Sequence, residues 1–369
     1  MKTLVNKNAK IANIQFVLSI LIVVIHANSV FMNMPGSDLN YVYGANWASF
    51  IQLFFSEGIA RIAVPLFFIF SGYLFFNNFD GSIKEYGKKL KRRVFSLVIP
   101  YLFWSAFTFF GFFFAQKIPG IGEYFSTRNE TSLSIKVLFD NIIISSYNSP
   151  LWYVRYLIVF SVLSILVFHI VKKTPFLLLA IAFVGWTFGF WGLQLPFSIR
   201  WDAIFFYVLG VELALKKEIA IKLRDKLDNK WLLFVIGCLY MSVQVVRTLM
   251  LCRKDPEFLL YGEYDPVLHY LGIFGILLGV FLIWFCWDYL FQQQKVWKTS
   301  EFAFFIFVTH HPVVNIVKKL LFKVLGYTIA MVFVVYVFAI VITVLLILGI
   351  GLIAKRFIPT IFKFVCGGR

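Results

Sequence analysis

Ten apolar runs, separated by short polar loops, make up most of this sequence. They lie near 11–33, 48–76, 93–115, 151–171, 176–193, 200–215, 231–251, 268–291, 301–321 and 328–353. A helix needs about 20 residues to cross a hydrocarbon core about 30 Å thick, and only helices or closed barrels satisfy the backbone there. The runs therefore predict an all-α fold, a polytopic transmembrane helix bundle of about ten spans. The fifth and sixth runs are the shortest.

Composition agrees with a membrane protein and excludes other classes. The chain is 60% hydrophobic and 14% charged, whereas soluble domains are about half apolar and about a quarter charged. No polar stretch is long enough for a separate soluble domain, so residues 1–369 form one integral-membrane domain. The net charge of +17 lies in the short loops, which favours lipid headgroups over nucleic acid as the partner.

The distribution of basic residues predicts the topology. Lys and Arg cluster before the first run, at 84–93, at 172–173, at 216–230, at 295–298 and at 355–363, and the alternate loops are mixed or acidic. Because cytoplasmic loops carry the excess of Lys and Arg, both termini are predicted in the cytoplasm of a multi-pass cell-membrane protein. The 116–149 loop is then outside, as a lid or as a sugar contact. Lys318, Lys319 and Lys323 conflict with this pattern and are interpreted as snorkelling side chains.

Known signatures of other chemistries are absent from the sequence. The four cysteines are far apart, with no CxxC pair and no metal-ligand spacing, so neither a metal site nor a disulfide framework is predicted. GxSxG, P-loop, GxGxxG and HExxH patterns are also missing. No permanently bound cofactor is predicted, and the choice is a histidine-centred mechanism or no catalysis.

Of the five histidines, His169 and His269 lie at the ends of apolar runs, and the other three lie farther inside them. His26 is near the end of the first run, and His310 and His311 precede Pro312 in the ninth. An intramembrane imidazole is a functional candidate, and a neutral imidazole can act as a general base. The alternatives are that His26 only packs against a neighbouring helix, and that His310 and His311 bind backbone carbonyls freed by Pro312.

Charged and aromatic side chains supply the other candidates. Glu57 and Arg61 are four residues apart and can pair on one helix face, and Ser71-Gly72 offers a close helix contact. Arg61 is either a structural partner of Glu57 or a positive group aimed at the substrate. Arg92 and Arg93 can hold phosphates or serve only as topogenic charge. Trp152, Tyr153 and Arg155 form either a substrate platform or an interfacial aromatic belt with a snorkelling arginine.

Several segments together resemble the membrane-bound acyltransferase 3 family. Arg61-Ile-Ala-Val-Pro-Leu-Phe-Phe-Ile-Phe-Ser-Gly-Tyr73 is similar to the family's second-helix signature. His26, the basic entry Lys91 to Trp104, Leu151 to Tyr153, and Thr309 to Pro312 follow in the family's order. The resemblance implies ten spans with cytoplasmic termini. It also implies transfer of an acyl group, often acetyl, from cytoplasmic acyl-CoA to a hydroxyl of an extracytoplasmic glycan or cell-wall polysaccharide.

This resemblance, with the residue chemistry, defines the predicted site. The predicted catalytic residues are His26, Arg61, His310 and His311, and the predicted substrate contacts are Ser71, Arg92, Arg93, Trp152, Tyr153 and Arg155. The family usually carries an arginine eleven positions before the histidine, where this chain has Gln15. That departure raises the alternative of a non-catalytic exporter or flippase of a polysaccharide.

Overall fold

The computed structural model describes residues 7–29, 44–120, 122, 133–189, 199–255, 258, 264–291 and 295–368. Within these ranges every regular element is helical, which confirms the predicted all-α fold. The main helices are α1 (Lys7–Ala27), α2 (Trp47–Phe76), α3 (Ile83–Ala115), α4 (Trp152–Lys173), α5 (Leu177–Thr187), α6 (Trp201–Leu215), α7 (Lys217–Leu227), α8 (Lys230–Leu251), α9 (Pro266–Leu290), α10 (Ala303–Leu325), α11 (Ile329–Phe357) and α12 (Pro359–Val365).

Eight of the described helices, α1 to α4 and α8 to α11, are long and apolar enough to cross a membrane. The fifth and sixth predicted spans correspond to α5 and α6, which have 11 and 15 residues. At about 1.5 Å per residue they are about 16 and 22 Å long, short of a full span. The first predicted span extended to residue 33, but α1 ends at Ala27 and residues 30–33 lie outside the described ranges.

The start of α1 and the end of α11 lie at one end of the bundle. Lys10 at the start of α1 pairs with Asp288 at the end of α9, with 2.8 Å between Nζ and Oδ2. Lys355 near the end of α11 pairs with Glu301, just before α10. We call this end of the bundle the terminal end. The arrangement agrees with both termini on one side of the membrane, and the cytoplasmic side itself stays a prediction.

The helices α2 and α6 pack closely through two glycines. A Cβ atom on Gly72 would lie 2.3 Å from the carbonyl oxygen of Tyr207, and one on Gly210 would lie 2.1 Å from that of Ile69. The close contact predicted at Gly72 is therefore confirmed, because no larger residue would leave room for the two backbones. This contact presents the neighbouring Ser71 to the core of the bundle.

The first part of α2 is irregular. Phe54–Gly58 is a π-helical turn and Ile59–Ile62 a 3₁₀ turn before regular α-helix resumes at Ala63. Pro65 lacks an N–H group, so it cannot donate to the carbonyl of Arg61 in this stretch. Such turns are frequent at functional sites, and this one carries both Glu57 and Arg61.

Candidate functional site

Three imidazole rings meet where the last turn of α1 packs against α10. The ring centroid of His26 lies 5.2 Å from that of His310 and 5.0 Å from that of His311. His310 is fully buried, and neither nitrogen of His26 is hydrogen-bonded to any residue that the structure describes. Residues from opposite ends of the chain, each singled out from the sequence, therefore form one cluster.

The hydrogen bonds of His310 define its tautomer. Nδ1 lies 2.7 Å from the carbonyl oxygen of Phe307 and 3.2 Å from that of Ile306. Carbonyl oxygens only accept, so we assign the proton to Nδ1 of the neutral ring. Nε2 is then an acceptor, and it is buried without a hydrogen-bond partner among the described residues. A lone pair in this state is what a general base requires.

The carbonyl freed by Pro312 is not bound by a histidine. Pro312 cannot donate to the oxygen of Val308, and the side-chain amide of Asn148 donates to that oxygen at 2.7 Å. His310 binds the carbonyl oxygens that lie one turn before its own position in α10. Nε2 of His311 lies 3.4 Å from Nδ2 of Asn315. The purely structural interpretation of the two histidines is wrong for the Val308 carbonyl, because a residue outside α10 binds it.

Lys318 points inward, and the prediction that it snorkels is wrong. Its side chain is 4% exposed, and Nζ donates to the carbonyl oxygens of His26 at 2.8 Å and Asn28 at 3.1 Å. The last carbonyls of a helix have no partner within the helix and carry its negative dipole end, so a buried ammonium is stabilised there. Sequence reasoning missed this residue, although it is seven positions after His311 and so shares its helix face.

The predicted pair of Glu57 and Arg61 is confirmed. Arg61 donates to both carboxylate oxygens of Glu57, at 2.9 Å from Nε and 2.5 Å from Nη2. Arg247 of α8, which sequence reasoning did not identify, donates to the main-chain oxygen of Glu57 at 2.5 Å. The side chain of Arg61 is 45% exposed and paired with the Glu57 carboxylate, whereas the Lys318 ammonium lies at the main chain of His26. The histidine cluster therefore has a buried positive charge at its border.

Ser71 and Tyr153 are brought together in the core. Their hydroxyl oxygens lie 3.0 Å apart, and that of Tyr153 donates to the carbonyl oxygen of Phe67. The Tyr153 ring is buried, and its centroid lies 5.5 Å from that of Phe307. The Phe307 centroid in turn lies 6.1 Å from that of His310. The alternative that Tyr153 belongs to an interfacial belt is wrong, because α4 packs this residue against α2 and α10, and its contact with substrate stays a prediction.

Trp152 and Arg155 are partly buried and contact residues outside the histidine cluster. The guanidinium of Arg200 lies 5.5 Å from the Trp152 ring. Arg155 donates to the carbonyl of Ile144, at the end of the helical segment Ile135–Ile144 in the 116–149 loop. Arg155 therefore holds this loop rather than snorkelling, because the loop carbonyl lies within reach of its guanidinium.

Arg92 and Arg93 lie outside the histidine cluster. They end the amphipathic first part of α3, Ile83–Arg93, where Arg92 is exposed and Arg93 is partly buried. The guanidinium of Arg93 lies 5.3 Å from the ring of Phe75, near the end of α2. Their role in binding phosphates stays a prediction.

The chain matches the family described as acyltransferase domain over residues 8–351. It is also 25% identical over 317 residues to the succinoglycan biosynthesis protein ExoH of Rhizobium meliloti (strain 1021), covering 82% of this chain and 79% of that protein. No solved structure matches the chain.

Proposed function

We propose that this chain, which belongs to the acyltransferase domain family, transfers an acyl group from acyl-CoA to a hydroxyl of an extracytoplasmic polysaccharide. The chain is an acyltransferase with multiple membrane-spanning helices. We further propose that the donor is acetyl-CoA, that it is bound from the cytoplasm, and that the protein lies in the cell membrane. The relative named for succinoglycan biosynthesis supports a polysaccharide as acceptor.

The observation that carries this proposal is the histidine cluster. The rings of His26 and His310 are 5.2 Å apart, and Nε2 of His310 has a free lone pair among the described residues. His26 takes the proton from the acceptor hydroxyl, whose oxygen attacks the thioester carbonyl. His310 holds the same proton when it is passed between the rings. A positioned base of this kind contributes about 10²–10⁴-fold in rate.

The remaining charges complete the reaction. The guanidinium of Arg61 stabilises the oxyanion that forms on the thioester carbonyl. The C–S bond then breaks, the new ester C–O bond remains, and the CoA thiolate takes the proton from the imidazolium to leave as the thiol. Arg92 and Arg93 bind the donor phosphates, since guanidinium groups match phosphate oxygens.

Ester analysis of the surface polysaccharide tests the proposal. Mass spectrometry would compare cells that carry the protein, lack it, or carry His26→Ala at equal protein level. In cells that lack the protein or carry His26→Ala, we expect the acyl esters to be lost and the amount of exported polysaccharide to stay unchanged. Loss of the extracellular polysaccharide itself would instead favour the exporter, which Gln15 at the family's arginine position raises as the alternative.

A further inference from the structure

A cavity of about 320 Å³ lies at the terminal end between α6 and α9. Its floor is α2, through Leu66, Ile69, Phe70 and Tyr73, and its walls include Leu213 of α6 and Phe281 of α9. Small-molecule sites occupy about 300–1,000 Å³ and are lined mainly by apolar side chains, so this cavity is large enough for a ligand. The proposed reaction does not use it.

One mouth of the cavity is positively charged. Lys10, Lys217, Arg224 and Asp288 line it, so three cations share one carboxylate. Asp288 accepts from Lys10 at 2.8 Å and lies 3.7 Å from Arg224. Lys217 is exposed and donates to the neutral side chain of Asn78 at 3.1 Å. The charge of the mouth is therefore not neutralised, and it favours an anionic group.

The helix at the mouth has the character of a membrane-surface helix. The amphipathic α7 carries Lys217 and Arg224, and its Ile219 and Ile221 are each half-exposed. Ile221 also lines the cavity, so the cavity adjoins a surface suited to lipid. None of the histidines lines the cavity, so it is separate from the histidine cluster.

We propose that this cavity binds one anionic phospholipid. The phosphate lies at Lys217 and Arg224, and a hydrocarbon chain lies along Leu213, Phe70 and Phe281. Two observations on different elements meet here, an apolar channel between helices and an excess of two positive charges at its mouth. The predicted cytoplasmic leaflet at this end supplies anionic lipids.

Native mass spectrometry of the purified full chain tests the proposal. Phosphatidylglycerol and phosphatidylcholine with identical chains are the probes. Lys217→Gln with Arg224→Gln is expected to weaken phosphatidylglycerol binding about 30-fold, which is ~2 kcal/mol at about 1 kcal/mol for each basic residue. Phosphatidylcholine carries the same phosphate but is neutral overall, so it should bind the unchanged protein more weakly and lose less affinity in this variant. The matched control is Lys222→Gln with Lys226→Gln, on the same helix but exposed and away from the cavity.

A second variant tests the apolar part of the site. Ala220 lines the cavity, and Ala220→Phe should fill it and weaken the binding of both lipids. If the control variant lost as much phosphatidylglycerol binding, general surface charge would explain the binding and the proposed site would be overturned. Competition by acetyl-CoA that depends on Lys217 and Arg224 would also overturn it and make the cavity a donor site. Binding is measured without turnover, so the outcome is independent of the proposed acyl transfer.

Discussion

Replacement of Lys318 with methionine tests whether a buried lysine holds the end of α1 beside the histidine cluster. The variant keeps a long apolar side chain but removes both hydrogen bonds, to the carbonyls of His26 and Asn28. Interhelical hydrogen bonds in membrane proteins contribute about 0.6 kcal/mol on average and up to ~1.7 kcal/mol each. Two such bonds give a loss of about 1–3 kcal/mol in the free energy of unfolding. Loss of the buried charge offsets part of this.

The larger effect is expected on the reaction. Lys318 binds the main chain of His26 itself, so its loss lets the end of α1 and the imidazole move. A displacement of about 1 Å in a catalytic group can cost about 10²-fold in rate. We therefore expect kcat to fall about 10²-fold in Lys318→Met, with KM for acetyl-CoA little changed. Lys318→Arg, which keeps donors and charge, should recover part of kcat.

Two measurements on the purified protein check this reasoning. Thermal unfolding in detergent gives the stability, and acyl transfer to a polysaccharide fragment gives kcat and KM. The control is Lys222→Met, at an exposed position on α7, which should change neither quantity. Wild-type stability and kcat in Lys318→Met would refute the role of Lys318. Lower stability with unchanged kcat would limit that role to folding.

Three further predictions concern the proposed base, the donor site and the packing of the bundle. His26→Ala and His26→Gln should each lower acyl transfer about 10²–10⁴-fold at normal membrane insertion. Activity retained in the Gln variant would transfer the role of base to His310 or His311. Arg92→Gln with Arg93→Gln should weaken acetyl-CoA binding and reduce its salt dependence in an equilibrium titration, and unchanged affinity would leave the two arginines as topogenic charge. Gly210→Leu should lower the yield of monodisperse protein because it separates α2 from α6, whereas Gly237→Leu, with open space around its Cβ position, should not. Equal yields would contradict the packing argument.

Local properties of this protein follow from its sequence alone. Apolar runs of helical length predict the eight long spans, because a bilayer leaves the backbone no alternative to a closed hydrogen-bond pattern. The pair of Glu57 and Arg61 can also be predicted from the sequence, since residues four apart share a helix face. The ordered motifs indicate the acyltransferase family, which the match over residues 8–351 shows.

The direction of individual side chains depends on how the helices pack. Hydropathy places Lys318 near a helix end, but only the carbonyls of His26 and Asn28, far away in sequence, turn it inward. Tyr153 resembles an interfacial residue by its position at a helix start, yet α2 and α10 enclose its ring. The contact of His26 with His310 and His311 also depends on how the helices pack. Helical period and hydropathy are set by neighbours in sequence, whereas these contacts arise between helices whose relative positions no local pattern encodes.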